Sequence, residues 1–299
     1  MIAERVMTLK AHSGPLYALA EGRNKNLLFS GGGDRVVAEW DVQLGTTQPF
    51  GISTDNTIYS LLNLDRKTLL IGTSQGSIHV IDLETKKEKR HLKLHDKGIF
   101  HLAYLPEKNR VYAACADGSV SIWEASQWSL LWHLKLSQGK IRRIAFDSEG
   151  KLAALTSGDG RVFILDTNEH KVKYSIEAHE DSVNSVAFLP NGNLLTGGKD
   201  AHLSIWDGKN HFRNLRKIPA HNYAIYDILV HPEGKWVASA SRDKTVKLWD
   251  IDLMEKPIRL DRNGHEGHTH SVNRLYYLAE EDMLASCSDD RTICLWRVK

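Results

Sequence analysis

Three residue types able to act together as nucleophile, base and orienting acid recur along this 299-residue chain. They are His12, Ser30 and Asp34; His179, Thr196 and Asp200; His221, Ser239 and Asp243; and His268, Ser286 and Asp290. One such set would suggest acyl transfer, in which the imidazole takes the hydroxyl proton and the carboxylate holds the imidazole. Catalysis needs a single copy, however. Here a tryptophan stands six residues after each Asp, at Trp40, Trp206, Trp249 and Trp296. Fourfold recurrence in that register points to repetition of the fold, and no catalytic residue is assigned.

The remaining chemical candidates are weaker. His265, His268 and His270 lie close enough to suggest a metal, but the helical zinc motif H-E-x-x-H needs His at 269, where Thr269 stands. An exposed loop is the reading, with no metal assigned. Ser30-Gly31-Gly32-Gly33-Asp34 precedes a strand instead of joining a strand to a helix, so it is a tight turn and not a phosphate cradle, and no cofactor is expected. Lys86-Lys87-Glu88-Lys89-Arg90 is too short to argue for nucleic acid and reads as a solvated edge. Cys115, Cys287 and Cys294 lie in apolar segments, as reduced structural thiols would.

The elements that must carry these residues form a repeat. Segments aligned at His12, Thr54, His95, Ser137, His179, His221 and His268 are separated by 42, 41, 42, 42, 42 and 47 residues. Four residues after each stands an apolar anchor (Leu16, Ile58, Ile99, Ile141, Val183, Ile225, Val272), and three further on a second (Leu19, Leu61, Leu102, Ile144, Val186, Ile228, Leu275). Turn signals such as Pro190-Asn191-Gly192 separate short segments of strand character such as Trp236–Ser239. Each unit is several short strands joined by tight turns.

With Gly264-His265 or Ala178-His179 opening a unit, Ser239-Ala240-Ser241-Arg242-Asp243 in its middle and Trp249-Asp250 closing it, the chain resembles the WD-repeat family. The resemblance implies an all-β fold: a seven-bladed β-propeller with four antiparallel strands per blade. It covers residues 1–299 as one domain, with blades at about 13–54, 55–95, 96–137, 138–179, 180–221, 222–268, and 269–299 plus 1–12. It also implies that His, Ser or Thr, Asp and Trp form a hydrogen-bonded tetrad within each of the four matching blades. Each such bond is worth about 0.5–1.5 kcal/mol, and leaving half of it unmade costs about 1–3 kcal/mol. The third unit keeps His95, Asp117 and Trp123 but has Ala113 at the hydroxyl position; the second has Thr54, Ile71, Gln75 and Ile81, and the fourth Ser137, Leu155, Asp159 and Leu165. Blades two and four are expected to be less rigid. Val6–Leu9 has strand character and no blade of its own, so it is expected to pair with the C-terminal blade and close the ring.

The resemblance further implies that partners dock on the face bearing the entry to each first strand and the turn before each third. Carried over by position, that rim includes Tyr17, Tyr59, Phe100, Lys140, Arg142, Lys199, Tyr226 and Arg242, aromatic on one side and basic on the other. Aromatics and Arg are the residue types that anchor interfaces. The expectation is a non-enzymatic scaffold holding a protein or peptide with hydrophobic and acidic residues. A small-molecule or metal site in the channel, possible in an enzyme, and single-stranded nucleic-acid binding are the alternatives. The balance of 39 Lys and Arg against 37 Asp and Glu makes nucleic acid the less favoured partner. Without an apolar leader or an apolar run of about 18 residues, a cytoplasmic location with no membrane contact is expected, and a monomer is the default.

Overall fold

The computed structural model describes residues 1–254 and 256–299. Its strands form seven four-stranded antiparallel sheets arranged as a β-propeller. In six sheets the four strands follow one another in sequence, the first being innermost. The innermost strands are Leu16–Glu21, Ile58–Asn63, Ile99–Leu105, Ile141–Phe146, Val183–Phe188, Ile225–Val230 and Val272–Leu278, and each meets its two neighbours around the ring. The seventh sheet takes its outer strand, Ala3–Lys10, from the opposite end of the chain, pairing it antiparallel with Thr292–Val298. Ile2 and Lys299 exchange backbone hydrogen bonds at 2.7 and 2.8 Å. The closing strand covers an otherwise bare edge and buries Leu9 against Ile293 and Leu295.

The core lies between sheets. Seven apolar clusters each join two adjacent blades, as where Trp236 and Leu248 of blade six meet Val272, Leu284 and Trp296 of blade seven. Burying a side chain of this size contributes about 1.5–3 kcal/mol, so the ring is held together chiefly by these contacts.

Two local devices recur. After each turn Asp or Gln the next residue is left-handed: Arg35, Gly76, Gly118, Gly160, Ala201, Lys244 and Arg291 all have φ between 65° and 91°. Where the turn residue is Asp, its carboxylate accepts the amide two residues on, as in Ser119 N to Asp117 Oδ1 at 2.8 Å, and fixes that turn for glycine and non-glycine alike. The second device is a break in register on every innermost strand just after its first anchor, between Leu16 and Ala18, Ile58 and Ser60, and so on around the ring. The extra residue of such a bulge leaves the ladder and is re-aimed.

Candidate docking face and channel

The bulges build the site. Their extra residues are Tyr17, Tyr59, Phe100, Arg142, Asn184, Tyr226 and Asn273, the set that lies one past each first anchor. All seven line one cavity of about 540 Å³ at the channel mouth, together with Lys140, Lys199, Ala224, Arg242, Arg274 and Asp289. The eight rim residues that the family resemblance implies are thus brought together. Their aromatic and basic halves are in contact: Tyr17 meets Tyr59 edge-on at 5.7 Å, Tyr59 stacks on Phe100 at 5.3 Å, and Arg142 and Lys140 lie 5.4 and 5.7 Å from the centre of the Phe100 ring. Gly98 permits this packing, since a Cβ there would sit 2.8 Å from the Tyr59 ring. Burial, reinforced by Asp289, raises the Tyr17 pKa, and burial lowers that of Arg142. Other residues flanking the anchors stay out of this cavity: Ser182, for example, is buried and donates to Asn184 Oδ1 at 2.9 Å.

A second ring lies one residue deeper: Ala18, Ser60, His101, Arg143, Ser185, Asp227 and Arg274. Several of its members satisfy backbone groups that the bulge of the next blade leaves without a ladder partner. Ser60 donates to Ile99 O at 2.9 Å, His101 Nδ1 accepts from Ile144 N at 3.2 Å, Ser185 Oγ accepts from Ile228 N at 2.8 Å, and Asp227 Oδ2 accepts from Leu275 N at 2.9 Å. Asp227 is fully buried and pairs with Arg143 at 3.1 Å and Arg274 at 3.9 Å. Arg274 also crosses the channel to donate to Phe100 O at 3.3 Å. Burial pushes the Asp227 carboxyl up against the pull of Arg143, and pushes the His101 imidazole well down, leaving it neutral. Below this waist is a smaller cavity of about 220 Å³. No expectation from the sequence covers this ring, although its signal is present: a residue two positions after each first anchor, polar or charged in six of seven units, inside a largely apolar strand.

Each tetrad runs from the approach to the innermost strand, which carries the His, through the second strand and the turn after it to the Trp on the third strand. In blade one, His12 bonds Asp34 and Ser30 at 2.7 Å each, and Trp40 donates to Ser30 at 2.7 Å. His179, Thr196, Asp200 and Trp206 repeat this geometry, as do His221, Ser239, Asp243 and Trp249, and His268, Ser286, Asp290 and Trp296. Blade three supplies its missing hydroxyl from the facing strand. Ser121, paired across from Ala113, meets His95 Nε2 at 3.0 Å and accepts from Trp123 at 2.9 Å. In blades two and four the corresponding positions are apolar and buried, Ile71 with Ile81 and Leu155 with Leu165.

Metal-ligand atoms come together at His95, Cys115 and Asp117, within 4.8 Å of one another. All three are engaged in the fold: His95 Nδ1 with Asp117, and Cys115 Sγ with Lys97 O at 3.1 Å. Burial pushes the Cys115 thiol up to about 12, and all three cysteines are free and buried. In the histidine loop, His268 belongs to its tetrad while His270 is exposed. Among the described residues no helix is long and apolar enough to cross a membrane.

Seven sheets around a channel, each braced at its turn, define a propeller built from a repeated sequence unit. The model of the WD domain, G-beta repeat, matches residues 3–41, 86–124, 170–207, 212–250 and 261–297, more than half of the chain, and the chain belongs to this family. The matched stretches end on the third strands of blades one, three, five, six and seven. Curated relatives are similar over shorter stretches. Nuclear distribution protein PAC1 of Arthroderma otae is 30% identical over 119 residues, 36% of this chain and 25% of that protein. WD repeat-containing protein 37 of Homo sapiens is 28% identical over 111 residues, 35% of this chain and 22% of that protein. The matched stretch thus spans about a quarter of the length of each of these relatives. Propellers of this family serve in general as protein-interaction scaffolds.

Proposed function

We propose that this protein is a non-enzymatic interaction scaffold, and that a protein or peptide segment carrying hydrophobic and acidic residues docks across the mouth of its channel. The observation that carries this reading is the single cavity of about 540 Å³ onto which the bulges of all seven inner strands converge. Its lining is aromatic, amide and cationic with one carboxylate, Asp289. That composition suits an interface anchor, because aromatics and Arg bury large area at low entropic cost and offer directed polar groups.

The test is capture from native extract with the wild-type chain beside a Tyr59→Ala, Phe100→Ala, Arg142→Ala triple variant. The expected result is one stoichiometric protein retained by the first and lost by the second, with both variants melting at similar temperatures. Retention by the triple variant would remove the docking face from the proposal.

A further inference from the structure

Three arginines and one buried carboxylate meet in the upper channel. Asp227 is shared by Arg143 and Arg274 and accepts hydrogen bonds from Ser185 Oγ, Ile228 N and Leu275 N. Arg142 has no such partner. Among the described residues no ion pair includes it, and its Nε, closed off from solvent, has no hydrogen-bond acceptor. The nearby Asp181 is held by Lys199 at 2.7 Å. The Arg142 guanidinium carbon lies over the Phe100 ring, 5.4 Å from its centre, and the side chain lines the mouth cavity, where an occupant meets it. A half-buried guanidinium with no carboxylate beside it is a costly charge, and an anion arriving in the cavity would pair it.

We infer that the mouth takes one acidic side chain of an extended partner segment, its carboxylate paired with Arg142, beside apolar residues lying on the Tyr17–Tyr59–Phe100 ladder. This rests on the docking reading above and narrows it to a single anchor. A planar guanidinium matches a planar carboxylate through two parallel hydrogen bonds. Alternate side chains of an extended peptide recur about every 6.6 Å. The rungs of the ladder are 5.7 and 5.3 Å apart, of the same order as that repeat, and Arg142 lies over the last, 5.4 Å from its centre. The segment therefore carries its acid close in sequence to apolar residues that alternate along it.

The test is selection of random heptapeptides displayed on phage, carried out separately on the wild-type chain, Arg142→Gln and Arg142→Lys. Peptides from the wild-type selection are expected to share one Asp or Glu position beside alternating apolar residues. Replacing that Glu by Gln in a synthetic peptide should weaken binding to the wild type at least about tenfold, as loss of a charge-assisted pair does. The same replacement should leave affinity for Arg142→Gln unchanged, with Arg142→Lys between the two. Apolar enrichment without an acidic position, or an equal loss in wild type and Arg142→Gln, overturns the anchor and leaves the docking face standing. No enrichment at all overturns both. A phosphoserine peptide binding more than about tenfold tighter than its Glu counterpart would reassign the anion to phosphate and overturn the carboxylate.

Discussion

Blades six and four solve the same packing problem with opposite chemistry. In blade six, Ser239 meets His221 at 2.8 Å and accepts from Trp249 at 2.9 Å, while His221 bonds Asp243 at 2.9 Å. In blade four the positions of Ser239 and Trp249 are taken by Leu155 and Leu165, both fully buried in an apolar cluster, and Ser137 replaces the histidine, donating to Asp159 at 2.5 Å. Removing both halves of a buried hydrogen bond is close to neutral, whereas removing one half costs the desolvation of the other. A blade needs completeness, polar or apolar, more than it needs a particular residue. Blade three illustrates this, since losing the hydroxyl at Ala113 is offset by gaining one at Ser121.

The largest effect is expected from breaking a polar set in half. Ser239→Ala leaves His221 and the Trp249 indole without their partner and should cost about 2–4 kcal/mol in denaturant unfolding, with an unchanged slope. Ser121→Ala should cost a similar amount, although that serine stands on a different strand. A loss below about 1 kcal/mol for Ser121→Ala would mean that blade three is braced by packing alone.

Acid should act on blade six through two groups of its polar set, Asp243 and His221. Burial pushes the Asp243 carboxyl up, but hydrogen bonds from His221, Thr245 and the Asn222 amide outweigh it and hold the group below the usual carboxylate range. Its stabilisation is present above the unfolded pKa of about 3.9 and is lost as pH falls through the native value. Burial lowers the His221 pKa despite Asp243. Below about pH 6.5 the unfolded chain therefore takes up a proton that the native chain refuses, which also reduces stability. Both effects run in the same direction. Asp243→Asn should be less stable near pH 7 and should lack the part of the acid loss below about pH 4 that the Asp243 carboxylate carries, while the His221 part, no longer opposed by Asp243, is at least as large, as read from melting temperatures. Parallel curves for the two proteins would show that Asp243 does not contribute to the acid limb.

What could be read from the sequence is what repeats at fixed spacing. The steps of 41 and 42 residues, the paired apolar anchors and the six-residue Asp–Trp interval carry the ring, because each blade must present the same faces to its neighbours. The resemblance to the WD-repeat family, carried onto the same spacing, reaches Tyr17, Tyr59, Phe100 and Arg142, and the structure places each of them at a bulge after a first anchor. The waist escaped because Arg143, Asp227 and Arg274 derive their meaning from one another across the channel, a relation that no interval along the chain records. Ser121 escaped for a different reason. Its role depends on a hairpin register that sets it opposite Ala113, and neither residue announces that alone.

Register also separates two serines that look equivalent, and this gives the smallest and sharpest test. Ser204 faces Thr196 as Ser121 faces Ala113. In blade five, however, Thr196 already serves His179 and Trp206, each at 2.9 Å, and among the described residues Ser204 Oγ is buried without a partner. Ser204→Ala should therefore leave stability unchanged or raise it by up to about 1 kcal/mol, because it removes an unsatisfied hydroxyl. Thr196→Ala should cost less than Ser239→Ala, since Ser204 can turn to take over as Ser121 does in blade three, whereas Ser239 faces Lys247. Combining Thr196→Ala with Ser204→Ala should restore the full loss of about 2–4 kcal/mol, a coupling that an additive pair would not show. Additivity within error would mean that the facing hydroxyl cannot substitute, and that blade three reaches its arrangement by a backbone adjustment blade five does not share.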